Sequence, residues 1–215
     1  MAVRVSNFSV SLDGYGAGPK QDLDDPLGVN GERLHDWFVA TRTFKQMLGE
    51  EGGTEGIDDR FAAAGRQGIG ATIMGRNMFG PIRGDWGDEN WTGWWGEDPP
   101  YHHDVFVLTH HPREPVNMAG DTTFYFVTDG IENALERAIQ SAGDLDVLIG
   151  GGASTIQQYL RAGLIDELHI AFAPVLLGDG ERLFDNLGDQ PVGYQCTELA
   201  ASDAALHVRL AKVAG

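Results

Sequence analysis

The stretch Val147-Leu148-Ile149-Gly150-Gly151-Gly152-Ala153-Ser154-Thr155 joins an apolar run to three glycines and then to the start of a helical pattern. Glycines let the main chain approach a ligand closely, because no Cβ stands in the way. The N–H groups of the following helical turn would point at that ligand, and the helix dipole favours an anion there. The spacing matches neither the GxGxxG fingerprint nor the Walker A loop. The stretch therefore fits either a phosphate-binding turn or a tight strand-to-helix turn that holds no ligand.

The composition limits the partners that this chain can take. Its 215 residues are 42% hydrophobic, which is enough to bury a sizeable core. The formal net charge is -17, from 15 basic and 32 acidic side chains. Such a surface repels phosphate backbones and anionic lipids, so we expect neither nucleic acid nor membrane as a partner. An anionic cofactor would need help from the few arginines and from backbone N–H groups.

Cysteine usage and the N-terminal sequence indicate the compartment. Cys196 is the single cysteine, so no disulfide can form within the chain, which suits a reducing environment. Its strand-like surroundings favour a buried, inert thiol over a nucleophile. No apolar run is long enough to span a bilayer, and the N-terminus lacks the basic and apolar regions of a signal peptide. We therefore predict a cytoplasmic protein.

Strand and helix patterns alternate along the chain. Apolar runs predict strands over residues 3–10, 71–74, 105–109, 123–128, 146–149 and 168–177. Helical spacing predicts helices after the three glycines and over residues 34–44, 57–66 and 131–142, the last with Asp129 as N-cap. The runs at residues 193–199 and 205–213 predict a closing antiparallel pair. We therefore predict one α/β domain over residues 1–215, with a mostly parallel central sheet covered by helices on both faces.

Three of the predicted strands end in glycine or polar residues. These ends are Gly75-Arg76-Asn77, Thr109-His110-His111 and Gly150-Gly151-Gly152. Ligands bind at the carboxyl ends of strands in an open α/β sheet, so neighbouring strands would bring these turns to one edge. Arg76 can clamp a phosphate through two hydrogen bonds, while Thr109 and His110 can donate to a second phosphate or pack on an adenine. We therefore expect one site for a ligand that carries phosphate groups.

The order of these strands, helices and turns resembles that of the dihydrofolate reductase fold family from about Val3 to the C-terminus. The Met74-Gly75-Arg76 turn resembles that family's phosphate-binding turn, and the Thr109 strand end resembles its adenosine 2′-phosphate site. Ser11-Leu12-Asp13-Gly14 resembles the loop that closes over the nicotinamide. Residues 163–168 and 173–178 are closer to one branch, the reductase domain of the bifunctional riboflavin-biosynthesis deaminase–reductase and its stand-alone bacterial relatives.

The resemblance implies a single-domain dihydrofolate reductase-like fold and an oxidoreductase that binds NADPH. The residues that it implies for cofactor binding are Gly75, Arg76, Asn77, Thr109, His110, Gly150, Gly151, Gly152, Ala153, Ser154 and Thr155.

Two departures from the family pattern argue against dihydrofolate as the substrate. The family's carboxylate on the first helix grips the pterin and helps to protonate it, but Leu34 stands at the matching position. The threonine that partners this acid corresponds to Ala171. Without both groups, a pterin ring loses charge-assisted hydrogen bonds and its proton source. Met78 also stands where a hydroxyl residue is usual, which removes one expected phosphate donor.

Candidate substrate-binding residues lie near the ends of the first strand and the first helix. We expect Ser9 and Gly14 to face the nicotinamide and the substrate. Trp37 and Phe38 either stack on a planar substrate or belong to the core. Asp13 is the candidate proton donor, and its alternative role is to cap the turn before Gly14.

Residues 84–104 form an unusual loop that carries Trp86, Trp91, Trp94 and Trp95. One hypothesis is a lid over an aromatic substrate, with Trp86 among the binding residues. The alternative is a small satellite core or a subunit contact, because a long loop needs its own packing to stay ordered. In either case the loop flanks Arg76.

The histidines suggest a metal site only weakly. His102-His103 and His110-His111 are adjacent pairs, and adjacent side chains point to opposite faces of a strand. No HExxH motif or cysteine cluster accompanies them, so we expect no metal. His169 and His207 lie in strand patterns and are expected to be structural.

Three functions fit these observations. The first is an NADPH-dependent reductase that transfers hydride to a small heterocyclic or carbonyl substrate other than dihydrofolate. The second is a non-catalytic nucleotide-binding or sensor module. The third is the 5-amino-6-(5-phosphoribosylamino)uracil reductase of riboflavin biosynthesis, whose ribose phosphate would need a basic patch from Arg33, Arg42, Lys45 and Arg83. Related domains often pair through sheet edges and the C-terminal hairpin, so we also expect a homodimer.

Overall fold

The computed structural model describes residues 1–80, 84–87, 90–188 and 193–213. Its strands, in chain order, are β1 (Val3–Ser11), β2 (Tyr15–Ala17), β3 (Ile69–Gly75), β4 (Asp104–Leu108), β5 (Val116–Asn117), β6 (Thr123–Val127), β7 (Asp146–Gly151), β8 (Glu167–Ala173), β9 (Glu181–Arg182), β10 (Tyr194–Ala201) and β11 (Leu206–Lys212). Its α-helices are α1 (Asp36–Val39), α2 (Arg42–Met47), α3 (Ile57–Ala64), α4 (Arg76–Phe79), α5 (Ile131–Ala142) and α6 (Ala153–Arg161). A 3-10 helix over Gly31–His35 precedes α1.

The main sheet has nine strands within the described residues, in the order β10-β11-β8-β1-β7-β3-β4-β6-β5. The six strands from β8 to β6 run parallel to one another, whereas β11 joins β8 antiparallel and β10 joins β11 antiparallel. The short strand β5 closes the other edge antiparallel to β6, and β2 pairs with β9 in a separate two-stranded sheet. The predicted mixed α/β class, the mostly parallel sheet and the closing antiparallel pair are confirmed.

Helices cover both faces of the sheet because neighbouring residues of its strands bury opposite sides. On β3, Ile73 packs into a cluster with the apolar faces of α5 and α6, whereas Met74 packs with Phe79 on the other side. On β8, Ile170 joins the α5 and α6 side, and Ala171 packs with Trp37. This alternation is the period-2 pattern of a strand buried on both faces. The resulting three-layer arrangement leaves the strand ends open for a site.

The helix predicted over residues 34–44 is divided into three short pieces. Thr41 adopts an extended conformation, and its hydroxyl accepts the N–H of Phe44 at 3.1 Å, which starts α2. The same hydroxyl donates to the carbonyl oxygen of Phe38 at 2.7 Å, which ends α1. A threonine side chain that can bond its own backbone favours a cap over a helix interior, so the single-helix prediction is wrong here.

Three smaller expectations are also corrected. Gly130, not Asp129, is the N-cap of α5, because the chain enters the helix at a φ of 103° that suits glycine. Strand β8 ends at Ala173 and not at Leu177, since the following Pro174 has no N–H for the ladder. Cys196 lies exposed on β10 and not buried.

In the part of the chain that the structure describes, no helix is long and apolar enough to cross a membrane.

Candidate functional site

The three predicted turns meet at one edge of the sheet. Strands β7, β3 and β4 are adjacent and parallel, so their carboxyl ends lie side by side. Met74 pairs with Gly151 near the end of β7, and Gly75 pairs with Leu108 near the end of β4. The turns at residues 75–77, 109–111 and 150–152 therefore border one another, at the place where open α/β sheets bind ligands.

The glycine turn connects β7 directly to α6. Gly151 has a φ of 126°, a conformation that other residues rarely adopt, and Gly152 is the N-cap of α6. Ala153 and Thr155 are buried, whereas Ser154 is exposed at the first turn of the helix. The N-terminus of α6 thus faces the sheet edge, with a nine-residue helix dipole behind it.

Close packing explains why glycines occupy these turns. A Cβ on Gly75 would collide with the Thr155 hydroxyl, so β3 touches the first turn of α6. A Cβ on Gly151 would lie 3.1 Å from the Phe8 ring. Around Gly152, by contrast, the nearest atom within 4 Å of such a Cβ is Glu181 Oε2, at 3.8 Å. Among the residues that the structure describes, the space beside Gly152 is therefore open to an approaching ligand.

The Arg76 guanidinium packs against the tryptophan loop. Its centre lies 3.9 Å from the centroid of a Trp86 ring, in a cation–π contact. Its N–H groups donate to the carbonyl oxygens of Gly84 and Asp85. Asn77 follows in the first turn of α4 and is half-buried. The guanidinium is thus held at the end of β3, where sequence analysis expected it.

The turn after β4 contacts the same tryptophan loop. The Thr109 hydroxyl accepts the N–H of His111 at 3.1 Å, which shapes the turn, while His110 is exposed. His111 Nδ1 lies 2.8 Å from Asp85 Oδ1, and its carbonyl oxygen accepts the Trp86 indole N–H at 2.9 Å. Trp86 therefore links the ends of β3 and β4.

Three tryptophans of the loop, Trp86 among them, pack into a satellite core. Trp91 and Trp95 pack against the cluster that contains Phe79 and Phe124. The Trp91 indole N–H donates to the carbonyl oxygen of Phe79 at 3.2 Å, and Trp95 stacks on Phe124 with centroids 6.0 Å apart. These contacts favour the packing hypothesis for the loop over a mobile lid.

Asp13 organises a turn beside this edge. Its carboxylate accepts hydrogen bonds from the Ser11 hydroxyl at 2.6 Å and from the N–H groups of Leu177 and Gly178 at 3.1 and 2.7 Å. These bonds, the one from Ser11 above all, lower the pKa of Asp13 to about 2. The group is ionised at neutral pH and does not fit the proposed proton donor. Its role is to tie the turn at Gly14 to the loop after β8.

Ser9 and Trp37 face each other inside the protein. Trp37 is 1% exposed, and its indole N–H donates to the Ser9 hydroxyl at 2.8 Å. Phe38 is half-buried and meets Trp37 edge-on. Of the two alternatives for Trp37, its burial therefore fits the core and not an open stacking surface. Leu34, which takes the place of the family's acid, is fully buried as well.

Two residues near this edge were not singled out from the sequence. The Phe8 ring lies against Gly151, although an aromatic residue in a strand carries no signal for such a contact. Glu181 lies beside Gly152, although a charged residue in a glycine-rich stretch carries no sequence signal for such a position. Arg182 places its guanidinium 4.7 Å from the centroid of the Tyr15 ring.

The histidines have separate environments. His103 Nε2 lies 2.7 Å from the Thr72 hydroxyl, and His102 Nδ1 lies 2.7 Å from the carbonyl oxygen of Gly120. His169 and His207 are buried next to each other, 3.0 Å apart through their ring nitrogens. Among the residues described by the structure, no three His, Cys, Asp or Glu side chains form a group that could hold a metal ion.

The buried histidines predict acid sensitivity of the fold. Burial lowers the pKa of His169 to about 3 and that of His103 to about 4. In the unfolded chain each takes up a proton near pH 6.5, so the unfolded state binds more protons below that pH. Stability therefore falls as the pH falls from about 6.5, by up to about 1.4 kcal/mol per pH unit for His169, with a smaller slope from the less buried His103.

Urea unfolding between about pH 7.5 and about pH 5 measures this slope. As a control, His102→Asn removes an exposed histidine and is expected to keep the slope. A free energy of unfolding that stays constant across the window would contradict the prediction.

A model of the RibD C-terminal domain matches residues 3–208. The chain belongs to this family. The RibD C-terminal domain is a reductase domain, which is consistent with an oxidoreductase.

A curated relative adds a partial match. The uncharacterized protein YyaP of Bacillus subtilis (strain 168) is 30% identical over 92 residues, which are 41% of this chain and 48% of that protein. The match therefore spans about half of the length of the relative.

Solved structures share the fold over nearly the whole chain. A protein of Shewanella sp. PV-4 assigned to riboflavin biosynthesis has a TM-score of 0.64 and 24% identity, and each chain is covered to 100%. A pyrimidine reductase-like protein of Corynebacterium diphtheriae has a TM-score of 0.54 and 13% identity, with 100% of this chain and 92% of that chain covered. The diaminohydroxyphosphoribosylaminopyrimidine deaminase/5-amino-6-(5-phosphoribosylamino)uracil reductase of Thermotoga maritima has a TM-score of 0.56 and 14% identity, with 99% and 56% covered. These similarities confirm the RibD-like, dihydrofolate reductase-like fold.

Proposed function

We propose that this RibD C-terminal domain protein is an NADPH-dependent reductase that transfers hydride to a small heterocyclic or carbonyl compound other than dihydrofolate. The observation that carries the proposal is the convergence of three turns on adjacent parallel strands, at residues 75–77, 109–111 and 150–152. Family membership supports the reductase chemistry, and the turn composition supports a dinucleotide.

The residues at the sheet edge fit a dinucleotide diphosphate. The space beside Gly152 lacks the Cβ that would block it, and the first turn of α6 offers backbone N–H groups and a positive helix end. In this proposal Ser154 and Thr155 line the same turn, while Arg76, Thr109 and His110 serve the adenosine side. NADPH would supply the hydride, and the protein would supply position and electrostatics.

The substrate side is apolar where folate reductases carry an acid. Leu34 and Ala171 are both fully buried, so neither position offers a proton or a charge-assisted hydrogen bond. Asp13 is ionised and occupied by three donors. We therefore propose a substrate that needs no buried carboxylic acid of this kind.

Cofactor titration tests the proposal directly. NADPH is titrated against the protein by fluorescence, and its oxidation is then followed with pyrimidine, pterin and quinone-like acceptors. Binding with turnover of one acceptor supports the reductase, whereas saturable binding without turnover across the panel favours the non-catalytic module. Absence of NADPH binding overturns both.

Glu181→Gln is expected to strengthen NADPH binding about 3- to 10-fold, because the Glu181 carboxylate lies beside Gly152 and would repel a diphosphate. The Kd for NADPH measures the effect, and it should shrink as salt screens the charge. Glu167→Gln makes the same charge change at the opposite end of the sheet, where β8 begins, and should leave the Kd unchanged. Equal changes of the Kd in the two variants would mean that the effect comes from the net charge of the protein and not from the position of Glu181.

The riboflavin-pathway uracil reductase is a second candidate, supported by the activity named for the Thermotoga maritima structure. Its phosphorylated substrate would need free basic residues. Arg42 pairs with Glu55, and Lys45 pairs with Glu50 at 2.7 Å, which weakens the expected patch. Arg33 is exposed, and Arg83 lies outside the described residues. Growth of a riboflavin-reductase-deficient strain that expresses this chain would favour this candidate over the general reductase.

We further propose that the chain works as a single domain and forms a homodimer through its C-terminal hairpin. In the described part of the chain β10 is an edge strand of the sheet, and Leu199 on it is 65% exposed. An exposed edge with apolar side chains is a surface suited to pairing. Light scattering should give twice the chain mass, and Leu199→Lys should shift the protein towards the monomer. A monomer at all concentrations would refute the dimer.

A further inference from the structure

A chain of hydrogen bonds runs through buried histidines beneath β1. The backbone N–H of Asn7 donates to His169 Nδ1 at 3.1 Å, and Asn7 Oδ1 lies at the same distance from that ring nitrogen. His169 Nε2 lies 3.0 Å from His207 Nδ1, and His207 Nε2 lies 2.8 Å from Asp58 Oδ1 on α3. His169 is 4% exposed and His207 is fully buried. These side chains belong to no part of the candidate site described above.

The Asp58 carboxylate can only accept, so the neutral His207 ring carries its proton on Nε2 and accepts on Nδ1 from the Nε2–H of His169. The neutral His169 ring then has an unprotonated Nδ1, which accepts the backbone N–H of Asn7. The contact of this nitrogen with Asn7 Oδ1 would be a hydrogen bond only in a ring protonated on Nδ1. Phe61 stacks on the His207 ring with centroids 4.3 Å apart, and Trp37 meets the same ring edge-on at 4.9 Å. The rings are therefore held in place as well as bonded.

Asn7, at one end of this series of hydrogen bonds, forms a bulge in β1. It has a φ of 56°, and the register of β1 on β8 shifts between Val5 and Phe8. Before the bulge Val3 and Val5 face the α5 and α6 side, whereas after it Phe8 and Val10 do so. The bulge therefore changes the alternation of the strand by one residue.

This change of alternation determines what the end of β1 presents to the site. The Phe8 ring lies 2.8 Å from the point that a Cβ on Gly16 would occupy and 3.1 Å from the equivalent point on Gly151. It thus contacts both the segment after the Asp13 turn and the glycine turn of β7. Ser9 faces the opposite way, towards Trp37. Without the bulge, these two side chains would exchange faces.

We propose that His169, His207 and Asp58 are positioning residues, which hold the Asn7 bulge and so set Phe8 between Gly16 and Gly151 at the candidate dinucleotide site. The inference rests on the proposed function for its effect on cofactor binding, but its structural part does not. The series of hydrogen bonds ends at the backbone N–H of Asn7, so it offers no path for a proton to reach the site. Its role is therefore geometric and not catalytic.

Two substitutions of His169 separate its acceptor role from its bulk. The side-chain oxygen of His169→Asn can reach the Nδ1 position and accept from Asn7, whereas the amide of His169→Gln reaches the Nε2 position and leaves that N–H without its acceptor. We expect His169→Gln to weaken NADPH binding about 10-fold and His169→Asn to stay within about 3-fold of wild type, although both lose the natural ring. A merely structural role predicts equal losses that follow the stability of the two variants, and this result would overturn the proposal.

NMR measurements keep the inference independent of the cofactor. Long-range proton–nitrogen spectra of the wild type should show the Nε2–H form of both His169 and His207. A His169 ring that carries a proton on Nδ1 would donate to Asn7 Oδ1 and could not accept the backbone N–H, so this result would overturn the proposed acceptor role. The backbone amide signals of Gly16 and Gly151 should move in His169→Gln and stay in place in His169→Asn. If the Gln variant does not fold, Asp58→Ala at the partly exposed end of the chain should move the same signals. If wild type does not bind NADPH, the proposed function fails, while the spectra still decide the positioning role.

Discussion

Ser154→Glu is expected to lower the affinity for NADPH about 100-fold while leaving the fold as stable as wild type or slightly more stable. Ser154 is exposed in the first turn of α6, beside the open space at Gly152. A carboxylate there interacts favourably with the helix dipole and replaces serine by a better helix former. The same carboxylate would repel the diphosphate from the helix N-terminus. The one substitution is thus expected to weaken NADPH binding without lowering the stability of the fold.

Ser154→Gln is the matched control, because it has nearly the same size and no charge. The Kd for NADPH and the melting temperature should be measured for both variants. The Gln variant should bind within a few-fold of wild type, so the difference between the two variants isolates the charge. If Glu and Gln variants bind NADPH equally well, the anion does not lie at this helix end.

Trp37→Ala is expected to lower the free energy of unfolding by about 3–5 kcal/mol. The side chain is 1% exposed, and it packs against His207 and Phe38 as well as donating to Ser9. Truncation leaves a cavity in the core beneath β1 and removes the partner of the Ser9 hydroxyl. Urea unfolding measures the loss. The same variant tests the choice between a core residue and a substrate-stacking residue.

Trp94→Ala provides the comparison, because Trp94 is half-buried in the loop and meets Trp91 edge-on. Trp94→Ala should lower the free energy of unfolding by less than about 1.5 kcal/mol. The contrary outcome is a Trp37→Ala protein that is as stable as the Trp94→Ala protein but no longer turns over a substrate. This outcome would assign Trp37 to the substrate site.

The sheet and the meeting of its three turns were accessible from the sequence. Apolar runs that end in Gly75 or Gly150 mark buried parallel strands, and the rule that ligands bind at carboxyl ends then brings the turns together. The closing hairpin was also evident, since alternating patterns define an antiparallel pair. These features depend on local periodicity, which a single sequence carries.

The details of the site depend on contacts between distant residues, which local patterns do not carry. The stacking of Arg76 on Trp86 and the approach of Glu181 to Gly152 arise from the paths of long loops. The bulge at Asn7 is stabilised by His169, a residue 162 positions away, so the alternation within β1 could not reveal it. The break at Thr41 reflects competition between its side chain and the helix for hydrogen bonds.

The Arg76 contacts have a consequence for ligand binding. Because its N–H groups already donate to Gly84 and Asp85, a phosphate would replace these carbonyl oxygens instead of meeting bare donors. The net gain is the difference between two sets of hydrogen bonds, and it is smaller than the strength of either set. By thermodynamic linkage, an occupied nucleotide site would release the Trp86 segment, and an empty one would retain it. Indole fluorescence from that segment would then report the fraction of the protein that has bound NADPH.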